Sequence, residues 1–208
     1  MNAVLPVAAS ASGRIGPNAI TRVAEALPVL VGAAGTLQLF ERAGLAGYLR
    51  SPPESMVDES EVTRLYRELR LSLGPDLARQ VARRAGWLTA DYLLRKRIPK
   101  PAQALLKVLP ARLAARVLLA SIRGHSWTFA GSGVFRAESS RHGAPVRLAI
   151  RGNPLCRGVL STEPACDFYA ATFERLFRVL VHPAARVIET HCEARGDPEC
   201  RFEIRWAS

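Results

Sequence analysis

Four residues near the end of the chain constrain it most: Cys166, Glu189, Cys192 and Cys200, separated by 23, 3 and 8 positions. Around them, Cys200, Phe202, Ile204 and Trp206 alternate with Arg201, Glu203 and Arg205, the period of two expected of a half-buried strand. Residues 187–194 supply a partner strand. Arg195-Gly196-Asp197 makes a three-residue turn in which the glycine can take a positive φ. In that register Cys192 and Cys200 face each other on one side of a hairpin. Two thiols so placed, with Cys166 brought by the preceding helix and one carboxylate, match the tetrahedral donor sets that zinc takes. Two plainer readings stand beside this one. Free cysteines often serve as small buried apolar side chains, and Cys192 and Cys200 could form a disulfide. The first residues lack the basic stretch and apolar run of a secretory leader, so a reducing cytoplasm is expected and the disulfide is disfavoured. Glu189 and Cys192 lie three apart, and a regular strand would turn them to opposite faces. A bulge near Thr190-His191 is required if both are to reach one metal.

At 208 residues and 49% hydrophobic content, the chain suffices for one substantial core with an N-terminal appendage. The net charge is +11, carried by 29 Lys and Arg, of which only Lys96, Lys100 and Lys107 are lysine. Such a balance suits nucleic acid, an anionic membrane surface or small anionic ligands. The arginines are scattered at helical spacing, and no helix-turn-helix, zinc-finger or RNA-binding signature is present, so nucleic acid is not expected as a partner. No run of 18 uncharged apolar residues is found, so no transmembrane segment is expected.

In chain order, residues 1–15 lack periodicity and read as a disordered start. Residues 16–57 read as an N-terminal helical extension that opens at Pro17-Asn18 and breaks at Pro28. Its small, apolar Gly32–Leu39 stretch suits close packing, on a neighbour or on a second copy in a homodimer. Residues 58–208 read as the main domain. Asp58 and Ser60 are N-cap candidates for a helix over 61–73. Gly74-Pro75 resets the chain before a helix over 76–97, and helices over 102–109 and 110–123 follow. Trp127, Phe129, Gly131, Gly133 and Phe135 then alternate with Thr128, Ala130, Ser132 and Val134, predicting a strand whose two glycines leave room on one face. Ser140–Gly143 is a turn and 146–150 a second strand. A loop from Asn153 holds Cys156. A helix over 165–181, with Cys166 in its first turn and Phe173 on its apolar side, leads to the final hairpin. The fold class expected is α+β: a four-stranded antiparallel sheet with helices packed on one side and a helical N-terminal half.

The hairpin motif, Glu189-x2-Cys192-x-Ala194-x-Gly196-Asp197-x2-Cys200-x-Phe202-x-Ile204, resembles the end of the 4-vinyl reductase domain. That family includes bacteriochlorophyll-synthesis proteins and the sensor modules of phenol-responsive transcription activators. The resemblance covers roughly residues 60–206, and it implies a zinc ion on Cys166, Glu189, Cys192 and Cys200. Three thiolates and a carboxylate would close the shell, which makes such a zinc structural. The resemblance also implies an enclosed hydrophobic ligand. For the bacteriochlorophyll branch that ligand is a vinyl-bearing magnesium tetrapyrrole, with His125 as axial ligand and Trp127, Phe129, Gly131, Gly133, Phe135 and Phe173 around it. The family name implies a reductase of the 8-vinyl group. No nicotinamide fingerprint, P-loop or iron–sulfur spacing is present. The expected function is therefore binding the precursor and handing it to pathway enzymes, with the reductase and a small-molecule sensor as alternatives. The expected location is the cytoplasm or the periphery of the photosynthetic membrane.

Overall fold

The computed structural model describes residues 13–138 and 145–206. Its long helices come first. Helix α1 (Asn18–Arg42) runs on through Pro28 and breaks instead at Gly32, whose φ of 73° and ψ of 174° are non-helical. Proline removes one donor and disturbs one turn, whereas glycine alone tolerates this positive φ without strain. The short α2 (Gly47–Arg50) follows. Helix α3 (Glu59–Lys96) repeats the device at Gly74, with φ 73° and ψ 171° ahead of Pro75, so the expected reset is there. Asp58 caps α3, its side chain accepting from the Ser60 N–H at 2.7 Å. The expected disordered start, residues 1–15, lies largely outside the described residues. Its last two, Arg14 and Ile15, form strand β1, paired with β2 (Val57–Asp58).

Helix α1 is also a correction. By length and composition it is apolar enough to cross a bilayer, with a mean hydropathy of 1.5, although Glu25 hid it from a search for uncharged runs. Its Ile20, Val23, Leu27 and Phe40 are wholly buried in the same core as α3.

Helices α4 (Lys100–Val108) and α5 (Ala111–Gly124) lead to the sheet. Strands β3 (Val134–Glu138), β4 (Val146–Arg151), β5 (Arg186–His191) and β6 (Cys200–Arg205) form an antiparallel sheet of order β3-β4-β6-β5. Helix α6 (Asp167–Leu180) packs between this sheet and α3. Contact with α3 is close at Gly86, where any Cβ would strike the Phe168 carbonyl. Thr172 hydroxyl donates to the Gly86 carbonyl at 3.1 Å. The α+β class and its helical first half are as expected. The turn expected at 140–143 lies outside the described residues.

The predicted strand over 127–135 is wrong in its first part. Ser126–Thr128 is a 3-10 turn, and β3 begins only at Val134. Gly131 takes φ 59°, and a Cβ there would collide with Glu59 Oε2. A Cβ on Gly133 would lie 2.8–2.9 Å from the carbonyls of Arg151, Ala130 and Gly152. The two glycines thus admit close backbone and carboxylate contacts and leave no gap for a ligand. Apolar alternation is a weak strand signal where every second apolar position is glycine.

Candidate metal centre

Cys166 is the N-cap residue of α6, so its position is fixed by the first turn of a buried helix. Cys192 and Cys200 come from the ends of β5 and β6, as the hairpin pattern required. The ladder pairs Glu189 with Phe202 and His191 with Arg201, so Thr190 is an extra residue on β5. This is the bulge that the three-residue spacing demanded, and beyond it Cys192 falls opposite Cys200. The chain turns through a 3-10 segment, Glu193–Arg195, and Gly196 at φ 88°. Asp197 fastens this turn by accepting from the Cys192 N–H at 2.8 Å.

The fourth sulfur near these three belongs to Cys156, which the sequence reading had left in the loop. The Sγ atoms of Cys156, Cys166, Cys192 and Cys200 all lie within 4.8 Å of one another, and all four residues are buried. Cys166 and Cys200 are 3.4 Å apart, Cys156 and Cys200 3.5 Å, Cys166 and Cys192 3.8 Å, Cys192 and Cys200 4.0 Å. A disulfide would need about 2.05 Å, and all four cysteines are free. Zinc–sulfur bonds of about 2.3 Å in a tetrahedron set neighbouring sulfurs about 3.8 Å apart. The observed separations bracket that value.

Backbone and amide donors point at three of the sulfurs. Asn153 Nδ2 donates to Cys166 Sγ at 3.1 Å, and the N–H groups of Ala165 and Glu193 reach Cys192 and Cys200 Sγ at 3.4 Å each. Such donors favour thiolate over thiol. Burial, with the neighbouring thiols adding to it, pushes the Cys166 thiol well above its ordinary value. Hydrogen bonds from Cys156, Cys166 and Cys200 pull Cys192 below it. The cluster by itself therefore supports one thiolate, and a cation is what would allow more.

Glu189 sits at the edge of this group. Its Oε2 accepts from the Cys166 N–H at 2.7 Å, and its Oε1 is buried with no hydrogen-bond partner. Burial first, and the Cys192 sulfur next, push its carboxyl up to about 10.

Two residues that the sequence reading passed over build the loop that delivers Cys156. Asn153 is fully buried; its side-chain oxygen accepts from the Leu155 N–H at 3.0 Å, an Asx turn that an Asn ahead of Pro154 signals. Glu193 accepts from the N–H groups of Gly152 and Asn153 at 2.5 and 2.7 Å. Arg157 then leaves the loop for Glu59, at 2.7 Å.

The expected ligand residues are divided. Phe129, Phe135 and Phe173 come together, with ring centroids 5.2–6.4 Å apart, and Tyr169 and Phe202 join them. His125 and Trp127 lie outside, exposed at the end of α5. His125 Nδ1 is 2.8 Å from the Ser121 carbonyl. A carbonyl only accepts, so the neutral ring keeps its proton on Nδ1 and offers a lone pair at Nε2.

The V4R domain matches residues 146–206, which hold all four cysteines and Glu189. The bacteriochlorophyll synthase 23 kDa chain of Cereibacter sphaeroides is 47% identical over 92% of this chain and 90% of its own. That of Rhodobacter capsulatus is 39% identical over 98% and 92%. Among solved structures, an unliganded Fe(II) H-NOX protein from K. algicida superposes with a TM-score of 0.61 at 14% identity, covering 93% of this chain and 97% of that one. The phenol-responsive sensory domain of the transcription activator PoxR gives 0.54 at 14% identity, covering 71% and 74%. The chain therefore has the fold of these sensors, carries a V4R domain and belongs to the family of the bacteriochlorophyll synthase 23 kDa chain.

Proposed function

We propose that the chain binds a vinyl-bearing magnesium tetrapyrrole, a precursor of bacteriochlorophyll, and hands it to pathway enzymes. The observation that carries this reading is the pairing of relatives named for bacteriochlorophyll synthesis with a fold whose other members' titles name heme and porphyrin. His125 is the axial ligand in this reading, through the lone pair at Nε2, and Trp127 lies two residues on as an exposed apolar surface. Phe129, Phe135 and Phe173 form the wall behind, while Gly131 and Gly133 serve the backbone. Exposed arginines suit propionate carboxylates. Addition of a magnesium porphyrin to the purified chain should shift its Soret band, with or without NADPH; an unchanged spectrum overturns the reading. Conversion of a divinyl substrate to the monovinyl product by the pure protein with NADPH would favour the 8-vinyl reductase, as the family name does. A response to small phenols instead would favour a sensor.

A structural zinc on Cys166, Cys192 and Cys200 belongs to the same proposal. Bound there, it would supply charge that keeps the thiolates deprotonated and ties α6, the hairpin and the 153–157 loop together. The sulfur separations favour Cys156 as the fourth ligand. The partnerless Oε1 of Glu189, with the family spacing, supports Glu189 as a second candidate. The free thiols fit a reducing cytoplasm. We also read the exposed Val29 and Leu37 of α1, 62% and 47% accessible, as the contact of a homodimer. Sedimentation equilibrium finding only monomer would remove that contact.

A further inference from the structure

The charge of this chain is concentrated in one stretch. Residues 92–137 hold nine of the 29 cationic residues and none of the 18 acidic ones, so the rest of the chain, 20 cations against 18 acids, is near neutral at +2. This stretch includes α4 and α5, and both helices turn apolar residues outward. On α4, Pro101, Ala104, Leu105 and Val108 are all exposed. Their spacing of i, i+3, i+4 and i+7 makes them one stripe. Leu105 is 55% and Val108 79% accessible. Across the Leu109–Pro110 corner, Leu113 and Val117 on α5 are 44% and 43% accessible. Single exposed apolar residues are ordinary, but two stripes on adjoining helices are not.

Helix α4 cannot roll to bury its stripe. Its inner face carries Leu106 and Gln103, whose amide donates to the carbonyls of Leu94 and Ile98 at 2.5 and 2.8 Å. Those bonds satisfy the free end of α3 and pin α4 in its orientation. Lys100 and Lys107 flank the stripe on α4, and Arg112 and Arg116 accompany Leu113 and Val117 on α5; all four are exposed. Among the described residues, none of the four has an acidic partner within 4 Å.

We propose that the outer face of α4 and α5 docks on an anionic lipid bilayer, with Leu105, Val108, Leu113 and Val117 entering the headgroup region and Lys100, Lys107, Arg112 and Arg116 meeting lipid phosphates. Charge complementarity selects this occupant. An apolar centre within a cationic ring is the pattern of interfacial helices, and anionic headgroups attract each nearby cation. A second copy would bring a face of the same sign against it. Nucleic acid would leave the apolar centre without a partner.

Flotation of the full chain with phosphatidylcholine vesicles, with and without roughly 30% phosphatidylglycerol, tests this. Binding should require the anionic lipid and weaken as salt rises. Lys100→Gln with Lys107→Gln, Arg112→Gln and Arg116→Gln should lower partitioning about 10-fold or more. Leu105→Ser with Val108→Ser, at positions too exposed to hold the fold, should lower it comparably with an unchanged circular dichroism spectrum. Arg147→Gln with Arg205→Gln, exposed on β4 and β6, removes charge elsewhere and should leave binding unchanged. Equal binding to neutral vesicles overturns the proposal, as does binding that only the strand variant weakens. So does a face that instead drives self-association, or retention on RNA in place of lipid. The readout uses no tetrapyrrole, so it stands apart from the ligand reading.

Discussion

Glu59 and Glu189 are both carboxylates drawn out of water, and their surroundings drive them in opposite directions. Glu59, 3% exposed, accepts from the Ser132 N–H and hydroxyl at 2.7 and 2.6 Å and from Arg157 at 2.7 Å. Burial alone would raise its pKa, but these bonds outweigh it and hold Glu59 below the ordinary carboxylate value. Glu189 has one backbone donor and faces sulfur instead of a cation, so it is pushed up to about 10. The first acid is a finished polar lock. The second, with the four sulfurs beside it, is short of positive charge. The difference marks where a cation belongs, and each lock holds one end of the 153–157 loop.

The largest effect should come from the unfinished side. Cys200→Ser or Cys192→Ser should abolish zinc binding and cost several kcal/mol, as loss of a structural metal does, seen by elemental analysis and thermal unfolding. Cys156→Ser and Glu189→Gln separate the two candidates for the fourth ligand. Zinc lost from the first and kept by the second is the outcome the sulfur distances favour; the reverse gives the position to Glu189. Absence of zinc from the unaltered protein would remove the metal from the comparison altogether.

Next comes the seam through which Glu59 reaches its partners. Gly133→Ala brings a methyl group to 2.8–2.9 Å of three carbonyls, and Gly131→Ala adds a strained positive φ to a collision with Glu59. Each should cost about 2–4 kcal/mol, measured by denaturant unfolding. A stable Gly131→Ala protein would mean that the Glu59 lock is looser than drawn.

These two regions also mark how far the sequence could be read. The hairpin was legible because period-two alternation, a turn glycine and two cysteines all agreed, and even the bulge at Thr190 followed from the parity of a three-residue offset. Cys156 was missed because its approach depends on Asn153 and Glu193, which act across 13 and 40 residues of chain. The segment before β3 was misread because glycines carry no facial information. Gly131 and Gly133 answer to Glu59 and to Gly152, partners that only the tertiary fold brings near. Helix breaks went the same way. Pro28 drew the prediction, yet the kink fell at Gly32, where the backbone is free to take φ 73°.

Glu59→Gln should cost less, about 2 kcal/mol, because the partner Arg157 is itself partly exposed and can return to water. The pH dependence has a definite sign. A depressed carboxylate contributes stability that is present above its unfolded value, near 4.3, and is lost as pH falls through its folded value. Acid also protonates thiolates and releases bound metal, so the useful quantity is the gap between the unaltered protein and Glu59→Gln. That gap in thermal midpoint should be full at pH 6 and close below about pH 4. A gap that stays constant to low pH would mean that Glu59 is not held as a carboxylate.

His125→Ala should have the smallest effect on the fold. The ring is exposed, and its one hydrogen bond, to the Ser121 carbonyl, lies at a helix end that water can reach. Surface changes of this kind stay within about 0.5 kcal/mol. Its effect on the ligand should be separate and large. If Nε2 meets the magnesium, loss of the imidazole should shift the Soret band of the bound magnesium porphyrin and weaken its affinity, while thermal midpoint and zinc content stay fixed. Trp127→Ala, at a position 61% exposed, should weaken binding without moving the band, because it removes apolar contact and leaves the axial position filled. An identical spectrum and affinity in His125→Ala would deny the histidine that role. It would leave the aromatic wall of Phe129, Phe135 and Phe173 as the part of the proposed ligand site still to be tested.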